Sequence, residues 1–307
     1  MGRVEEIESR NKREARGNFR LIARGRIVEF PRRPLLMGIL NINDDSFSGD
    51  GRLDADWARQ RARELIEAGA DIVDVGAESA RTNRGAIPVE EECARLLPFV
   101  RSFSETARSA RPRDAEQLFP PLLSINTWRP AVADRVLREG GDLLNDLSAL
   151  PTDANARIAA REGAALLIMH SVGEPKVPHT HVGYADILAE LRRFFADKIA
   201  LARAAGLPEE SIVLDPGIDF AKQREANLRL LAHADELQCF GRPVLLPISR
   251  KTVIGQVLDL PEPADRDAGT LACLVAGMRR GVQIFRVHHV SAAYPCLRAL
   301  HNIRESR

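Results

Sequence analysis

The sequence has few of the residues that mark disulfide-stapled, membrane-spanning or nucleic-acid-binding proteins. Its four cysteines, Cys93, Cys239, Cys273 and Cys296, are scattered and form no CxxC pair, which favours a reduced, cytoplasmic protein over a disulfide scaffold. No run approaches the roughly 18 apolar residues of a membrane span, and the first residues contain no apolar signal segment. The formal net charge is +1, with only two Tyr and two Trp. These counts indicate neither a nucleic-acid partner nor a membrane partner.

Several common catalytic motifs are also missing. The sequence has no Walker A or GxGxxG phosphate loop and no GxSxG motif, and Ser46, Ser48 and Ser79 have no nearby His, which argues against a serine hydrolase. No cluster of His, Asp and Glu has the spacing of a metal site. Asn41, Asp45 and a diphosphate can nevertheless share Mg²⁺, which needs few protein ligands.

What the sequence does contain is a series of short apolar runs, each followed by a helix-sized segment. The runs span residues 35–40, 72–75, 122–125, 143–144, 165–169, 212–214, 244–248 and 284–287. Helices are predicted over residues 57–67, 89–108, 130–139, 154–161, 187–204, 225–232, 266–279 and 292–303. Short, nearly all-apolar runs suit parallel strands buried on both faces. Eight such units predict an α/β fold, a (β/α)8 TIM barrel, whose active site lies at the carboxyl ends of the strands.

The barrel is predicted to be a single domain of residues 34–307, after an N-terminal extension of residues 1–33. The extension is rich in Arg with interspersed Glu, so a solvated segment is favoured over an RNA-binding arm. Within it a short strand, over residues 19–23 or 27–30, is a candidate cover for the bottom of the barrel. Residues 105–121, rich in Arg and Pro, are interpreted as an exposed insertion.

Polar residues follow the apolar runs, and one, Arg286, lies within the last run. In a closed parallel barrel these residues surround one cavity, although they lie far apart in sequence. They are Asn41, Glu78, Asn126, Asn145, His170, Asp215, Ser249, Arg250, Lys251, Arg286 and His288.

Three of these residues favour a flat heterocyclic ligand. A carboxylate buried at the depth of Asp215 costs free energy unless it accepts strong hydrogen bonds, and a ring with adjacent N–H and NH2 groups donates two in parallel. Asn126 and Asn145 can each donate and accept. The competing interpretation is a structural network in which Asn, Asp and Lys satisfy one another.

The last two strands favour an anionic group. Arg286 and His288 lie where phosphate sites often form in such barrels, and Arg offers a fork of donors that fits phosphate oxygens. With Asn41 they suit a phosphate or pyrophosphate. Lys251 is expected to contact a polar ligand or a carboxylate, whereas Arg250 suits a salt bridge behind the barrel as well as it suits a ligand.

A series of short motifs completes the sequence-level picture. They are Met37-Gly38-Ile39-Leu40-Asn41 with Asp45-Ser46-Phe47-Ser48, Asp71-Ile72-Val73-Asp74-Val75-Gly76-Ala77-Glu78-Ser79 with Arg81, Asn145-Asp146, Met169-His170, Asp215-Pro216-Gly217-Ile218 with Phe220 and Lys222, Ser249-Arg250-Lys251 with Ile254-Gly255, and Arg286-Val287-His288. In this order, across about residues 34–305, they resemble the dihydropteroate synthase family. An ordered series is far more specific than any one motif.

The resemblance implies a homodimeric barrel of folate biosynthesis that uses Mg²⁺. Members join 6-hydroxymethyl-7,8-dihydropterin pyrophosphate to p-aminobenzoate, giving dihydropteroate and pyrophosphate. By the family pattern, the pterin is held by Asp215, Asn145 and Lys251; the pyrophosphate and metal by Asn41, Arg286 and His288; and p-aminobenzoate by Ser249, Lys251, Phe47 and Arg81. Ser79, Met169, Phe220 and Lys222 complete the expected substrate contacts, and Asn126, Asp215, Lys251 and Arg286 are expected to act in catalysis.

The chain also departs from the family pattern. The third predicted strand ends in Asn126-Thr127 where the family has Asp-Thr, so a negative charge that favours a pterin methylene cation is missing. The loops after the first two predicted strands also differ from the family pattern. Because of these differences we expect weaker sulfonamide inhibition than in a typical member. Asp44 or Asp50 is a candidate replacement for the lost charge. Two alternatives therefore stand beside a synthase: a pterin-binding paralogue with another acceptor, and a non-catalytic pterin-binding protein.

Overall fold

The computed structural model describes residues 19–43, 52–79, 85–177, 179 and 182–306. The strands are β1 Phe19–Ala23, β2 Arg26–Phe30, β3 Leu35–Asn41, β4 Ile72–Gly76, β5 Leu122–Asn126, β6 Leu143–Asp146, β7 Ala165–Met169, β8 Ile212–Asp215, β9 Leu245–Leu246 and β10 Ile284–Val287. The α-helices are α1 Ala55–Glu67, α2 Val89–Ser109, α3 Pro130–Glu139, α4 Ala154–Glu162, α5 Ile187–Ala204, α6 Arg224–Ala232, α7 Thr252–Leu258, α8 Asp267–Arg279 and α9 Val290–Glu305. Short 3₁₀ turns span Glu209–Ser211, Ala234–Phe240 and Pro263–Arg266. Within these ranges no helix is long and apolar enough to cross a membrane.

Strands β3 to β10 form the predicted parallel barrel. Their order is β8-β7-β6-β5-β4-β3-β10-β9, and a parallel bridge between Leu214 and Val244 brings β8 and β9 together. The Leu214 N–H donates to the Pro243 carbonyl at 2.9 Å across this seam. Strand β9 is shorter than its apolar run predicts, because Pro243 and Pro247 flank it and cannot donate to a ladder. The fold prediction is confirmed.

Alternation along the strands divides the core into two layers. Side chains such as Leu36, Val73 and Ile125 pack outward against the helices, whereas Leu35, Ile72 and other residues of the opposite parity fill the barrel. Successive strand residues point to opposite faces. Residues two or four positions after the inward apolar ones therefore also point inward, and most of the polar residues at the carboxyl ends belong to this series.

The bottom of the barrel is closed by a hairpin. Strands β1 and β2 pair antiparallel, and Leu21, Ala23, Val28 and Phe30 are buried in one cluster with the inward residues of the barrel. Both candidate strands of the N-terminal segment therefore form, and the solvated interpretation is wrong for residues 19–30, because alternate positions there are apolar. Residues 1–18 lie outside the described ranges.

The interpretation of residues 105–121 as an exposed insertion is only partly right: Arg111, Pro112 and Arg113 are exposed, but other residues of the segment belong to a helix or are buried. Helix α2 continues to Ser109, and Gln117, only 6% exposed, donates its amide to the carbonyls of Ile66 and Ala70, both at 2.8 Å. The Leu118 N–H donates to Asp71 at 2.8 Å. This segment thus caps carbonyl groups at the end of α1, which a solvated loop would leave to water.

Candidate active site

A cavity of about 540 Å³ opens at the carboxyl ends of the strands. The predicted residues on its wall are Asn41, Ser79, Asn126, Asn145, Met169, Asp215, Phe220, Ser249, Lys251, Arg286 and His288. Lys222 is not among the lining residues. Phe47 and Arg81 lie outside the described residues, as do Asp44, Asp45 and Asp50.

Asp74, on strand β4, connects the polar side chains inside the barrel. It is fully buried and accepts hydrogen bonds from the Arg286 Nε–H at 2.7 Å, the Ser124 hydroxyl at 2.6 Å and the Asn145 amide at 3.1 Å. The Asn126 amide lies at 3.5 Å. Sequence reasoning quoted Asp74 only as part of a motif. Its inward parity, two residues after Ile72, was the signal that could have placed it in the site.

The two asparagines direct acceptor atoms away from Asp74. Because an ionised carboxylate only accepts hydrogen bonds, the amide nitrogens of Asn126 and Asn145 face it. Among the described residues the Oδ1 atoms of both side chains have no hydrogen-bond partner, although they are buried. Leaving a buried acceptor unpaired is costly, so these two oxygens suit a ligand that donates hydrogen bonds.

Asp215 adds a third acceptor to the cavity. Its side chain is 2% exposed, and its Oδ1 accepts the Gly217 N–H at 2.7 Å. Burial raises the pKa of the Asp215 carboxyl to about 6, against the opposing effects of that N–H and of Lys251, Lys222 and Arg286. Paired donors on a ligand would favour the ionised form of this carboxylate.

Lys251 lies at the start of α7, opposite an aromatic ring. Its Nζ donates to the Ile218 carbonyl at 3.0 Å and stands 4.5 Å from the centre of the Phe220 ring. Burial lowers the pKa of Lys251, while Asp219 and Asp215 act in the opposite direction. The ammonium group is therefore held at one point by protein and can still reach a ligand.

Two further basic residues have structural partners instead. The Lys222 ammonium donates to the carbonyls of His170, Gly217 and Phe220 at 2.9 to 3.1 Å, so the prediction that it contacts substrate is not supported by its placement. Two of these carbonyls, of Gly217 and Phe220, belong to the turn after β8, and the third, of His170, follows β7. Arg250 forms a bidentate salt bridge with Asp267 at 2.7 and 2.9 Å. Of the two interpretations offered for Arg250, this contact agrees with the salt bridge.

The anion side of the cavity consists of Arg286, His288 and Ser249. The Arg286 Nε–H is used on Asp74, and no described residue accepts from its two terminal nitrogens, which remain as donors for an oxyanion. The Ser249 hydroxyl accepts the His288 N–H at 3.2 Å and contacts its Nδ1 at 3.0 Å. Strand β10 and the residue directly after it thus supply the guanidinium group and the imidazole, and Ser249, which follows β9, contacts the imidazole.

Sequence reasoning missed an ion-pair network at the rim. Glu78 contacts Arg129 at 2.5 Å and Lys176 at 3.0 Å, and Arg129 also contacts Glu92 at 2.9 Å. Glu78 follows β4, Arg129 follows β5 and Lys176 follows β7, so the network joins three loops across the mouth. These partners are far apart in sequence, and only the closed barrel brings them together.

A metal ion would have few protein ligands here. The described part of the chain contains no group of three His, Cys, Asp or Glu residues that could hold an ion. Asn41 lines the cavity from the end of β3 and offers one neutral oxygen. Such a donor set fits Mg²⁺ that arrives with a diphosphate, because Mg²⁺ usually keeps waters and substrate oxygens as ligands.

Comparison with known proteins identifies the family. A family model described as pterin binding enzyme matches residues 37–288. The chain belongs to this family. The dihydropteroate synthase of Escherichia coli strain K12 is 35% identical over 283 residues, which cover 92% of this chain and 95% of that protein. The synthase of Synechocystis is 35% identical over 268 residues, covering 87% and 89%.

Solved structures of pterin-binding enzymes share the whole fold. The Yersinia pestis dihydropteroate synthase, solved with a sulfonamide drug, is 34% identical with a TM-score of 0.83, covering 94% of this chain and all of that one. The Burkholderia cenocepacia enzyme, solved with 7,8-dihydropteroate, is 30% identical with a TM-score of 0.80, covering 94% and 97%. The resemblance inferred from the motifs is confirmed.

Proposed function

We propose that this pterin-binding enzyme is a dihydropteroate synthase: it transfers the dihydropterin methylene group from 6-hydroxymethyl-7,8-dihydropterin pyrophosphate to the amine of p-aminobenzoate, releasing pyrophosphate. One observation carries the proposal. Three buried acceptors, Asp215 and the unpaired oxygens of Asn126 and Asn145, share a cavity with the outward-facing guanidinium of Arg286. A donor-rich ring attached to an anion needs that combination.

The residues of the chain divide the work between the two ends of this substrate. Asp215 receives paired N–H donors from the pterin, and the amide oxygens of Asn126 and Asn145 accept from its remaining donors. Arg286 and His288 bind the diphosphate and stabilise the negative charge that grows on it as the C–O bond breaks. Mg²⁺, when bound with the diphosphate at Asn41, would neutralise part of the same charge. The amine then attacks the methylene carbon from the side of Ser249 and Lys251.

The neutral Asn126 has a buried carboxylate next to it. The Asn126 amide nitrogen lies 3.5 Å from Asp74, and this carboxylate would favour a cation that forms beside Asn126. Its charge is shared with Arg286 at 2.7 Å, so the stabilisation is weaker than a carboxylate at position 126 would give. A slow synthase is the expected consequence.

We further propose a cytoplasmic homodimer. The scattered cysteines support a reducing compartment. Helix α8 has no charged residue between Asp267 and Arg279, and it exposes Ala268, Ala272 and Ala276 on one face, beside the 44% exposed Val257 of α7. Small residues one turn apart let two copies of a helix approach closely about a two-fold axis.

The deciding experiment measures pyrophosphate release by the purified protein with dihydropterin pyrophosphate, Mg²⁺ and p-aminobenzoate, beside Asn126→Asp. We expect release with dihydropteroate as product, and a kcat about tenfold higher for Asn126→Asp, because a carboxylate there stabilises the cation. Activity in Asn126→Asp alone would indicate a pterin site diverted from this reaction. No release by either protein would contradict the proposal.

A further inference from the structure

Asp219, which no part of the mechanism above uses, stands on the wall of the cavity with an unusual backbone. It lines the cavity together with Lys251 and Thr252. Its φ of +64° is in the left-handed region, which favours glycine and, among other residues, Asn and Asp. Strain of this kind persists only where the surroundings hold the residue in place, so neighbouring groups must fix Asp219 in this conformation.

Two neighbouring segments hold Asp219 in place. Asn227, on α6, accepts the Asp219 N–H at 2.9 Å and donates its amide to the Asp219 carboxylate at 3.0 Å. The other carboxylate oxygen accepts the main-chain N–H groups of Thr252 and Val253. Lys251 stands at the N-cap of α7 and provides no side-chain cap. The Asp219 carboxylate, in the turn after β8, therefore accepts hydrogen bonds from the first N–H groups of α7.

This carboxylate lies on the side of the cavity where the acceptor substrate is expected. The family resemblance assigns p-aminobenzoate to Ser249 and Lys251, and Thr252 follows them directly. The charged groups that face Lys251 are Asp219, Asp215, Arg286 and Lys222. Because Asp219 offsets the positive charge of Lys251 and occupies nearby N–H donors, it weakens the attraction of this wall for a carboxylate.

We propose that Asp219 is a specificity-determining residue, which disfavours an anionic acceptor such as p-aminobenzoate relative to a neutral arylamine. The proposal rests on the transferase function above and deepens it. At an effective dielectric constant between those of protein and bulk water, one unit charge on the wall that faces the acceptor corresponds to roughly tenfold in relative affinity.

The test compares kcat/KM for p-aminobenzoate with kcat/KM for its neutral isostere p-aminobenzamide. Asp219→Asn keeps a side-chain oxygen for the N–H groups of α7 and removes the charge, while Asp219→Gly removes the whole side chain and suits a φ of +64°. We expect the benzoate-to-benzamide ratio to rise about tenfold in both variants. An unchanged ratio in both, or a rise in Asp219→Gly alone, would overturn the charge-based proposal.

Asp186→Asn is the matched control. Asp186 also caps a helix with its carboxylate, accepting the N–H groups of Leu188 and Ala189 at the start of α5 at 3.0 and 3.4 Å. It does not line the cavity. Its variant is expected to keep the natural ratio, and an equal rise there would show that loss of any cap, rather than the charge of Asp219, changes selectivity.

A binding measurement separates this proposal from the proposed function. The chain has only five lysines, so lysine-selective ¹³C NMR gives few signals, and the Lys251 signal is the one lost in Lys251→Arg. With 6-hydroxymethylpterin and pyrophosphate present as separate, unreactive ligands, p-aminobenzoate is titrated into the natural protein and Asp219→Asn. We expect about tenfold tighter binding and a lower pKa of Lys251 in the variant. Equal dissociation constants would reject the role of Asp219, whether or not the protein releases pyrophosphate.

Discussion

At the scale of single residues, the carboxylate of Asp74 receives hydrogen bonds from four side chains inside the barrel. Two of these donors, Asn126 and Asn145, thereby turn their oxygens toward the cavity, and a third, Arg286, is held by its Nε–H. One buried group thus sets the orientation of both the ring-binding and the anion-binding side chains. The polar network that sequence reasoning treated as a competitor of the ligand site is the part of the structure that orients it.

Asp74→Asn tests this dependence. The variant keeps the shape but loses the charge, so Arg286 is left without its buried partner and the two amides lose the reason for their orientation. We expect pterin affinity to fall at least tenfold and unfolding free energy to fall by about 3 kcal/mol, measured by calorimetry and urea denaturation. Ser124→Ala, which deletes one donor to Asp74, is the control and should cost about 1 kcal/mol. Natural pterin affinity in Asp74→Asn would contradict the assigned role.

Asp215 gives the site a pH dependence whose sign follows from its raised pKa. Paired donors bind the ionised carboxylate, so affinity for 6-hydroxymethylpterin should be constant above the pKa of about 6 and fall about tenfold per pH unit below it. Calorimetric titrations between pH 5 and 8 measure this, and Asp215→Asn should bind weakly with no such slope. A pH-independent natural protein would refute the assignment.

Stability responds to pH with the opposite sign at Asp215. A carboxyl whose pKa is higher in the folded state stabilises the fold below its ordinary pKa, and that contribution is lost as the pH rises through about 6. His170, whose pKa burial lowers to about 3, contributes stability above pH 6.5 that is lost as the pH falls. The two effects oppose each other between pH 4 and 6, which makes ligand affinity the cleaner measurement.

At the scale of elements, the sequence predicted the strands better than the turns between them. Apolar runs such as that ending at Asn41 mark buried strands because both faces of a parallel strand are covered. The short helix α7 was missed, since only seven residues follow Lys251 before Asp259 and its cap comes from Asp219, 33 residues earlier. A cap donated from another loop leaves no local signal.

The same limit explains which site residues could be placed from sequence. Asn145, Asp215 and Arg286 were placed on the cavity because strand ends in a barrel converge regardless of their separation in sequence. Lys222 lies off the cavity wall, with its ammonium donating to three carbonyls, and only the folded chain reveals that arrangement. Lys176 and Glu78 belong to different loops. The periodicity of the sequence does not predict how these loops are placed relative to each other.

At the scale of the whole molecule, two neighbouring helices, α7 and α8, lack the charged outer face that surface helices usually have. Helix α8 exposes Ala268, Ala272 and Ala276, and Val257 and Leu258 of α7 are 44% and 47% exposed. By contrast, α5 carries exposed Arg and Asp residues around the exposed Ala196. This asymmetry is the observation that favours α8 as the centre of the proposed homodimer interface.

Ala272→Arg tests that interface by placing a long cation on the face of α8, where a two-fold arrangement would bring two such charges together without partners. Light scattering after gel filtration should give twice the chain mass of 33.9 kDa for the natural protein and a single chain mass for the variant. Ala196→Arg, an equivalent change on α5, should stay dimeric. A natural protein that is monomeric at micromolar concentration would reject the dimer. Because Ala272 does not line the cavity, the monomeric variant should still bind 6-hydroxymethylpterin, so that assembly and ligand binding can be measured separately.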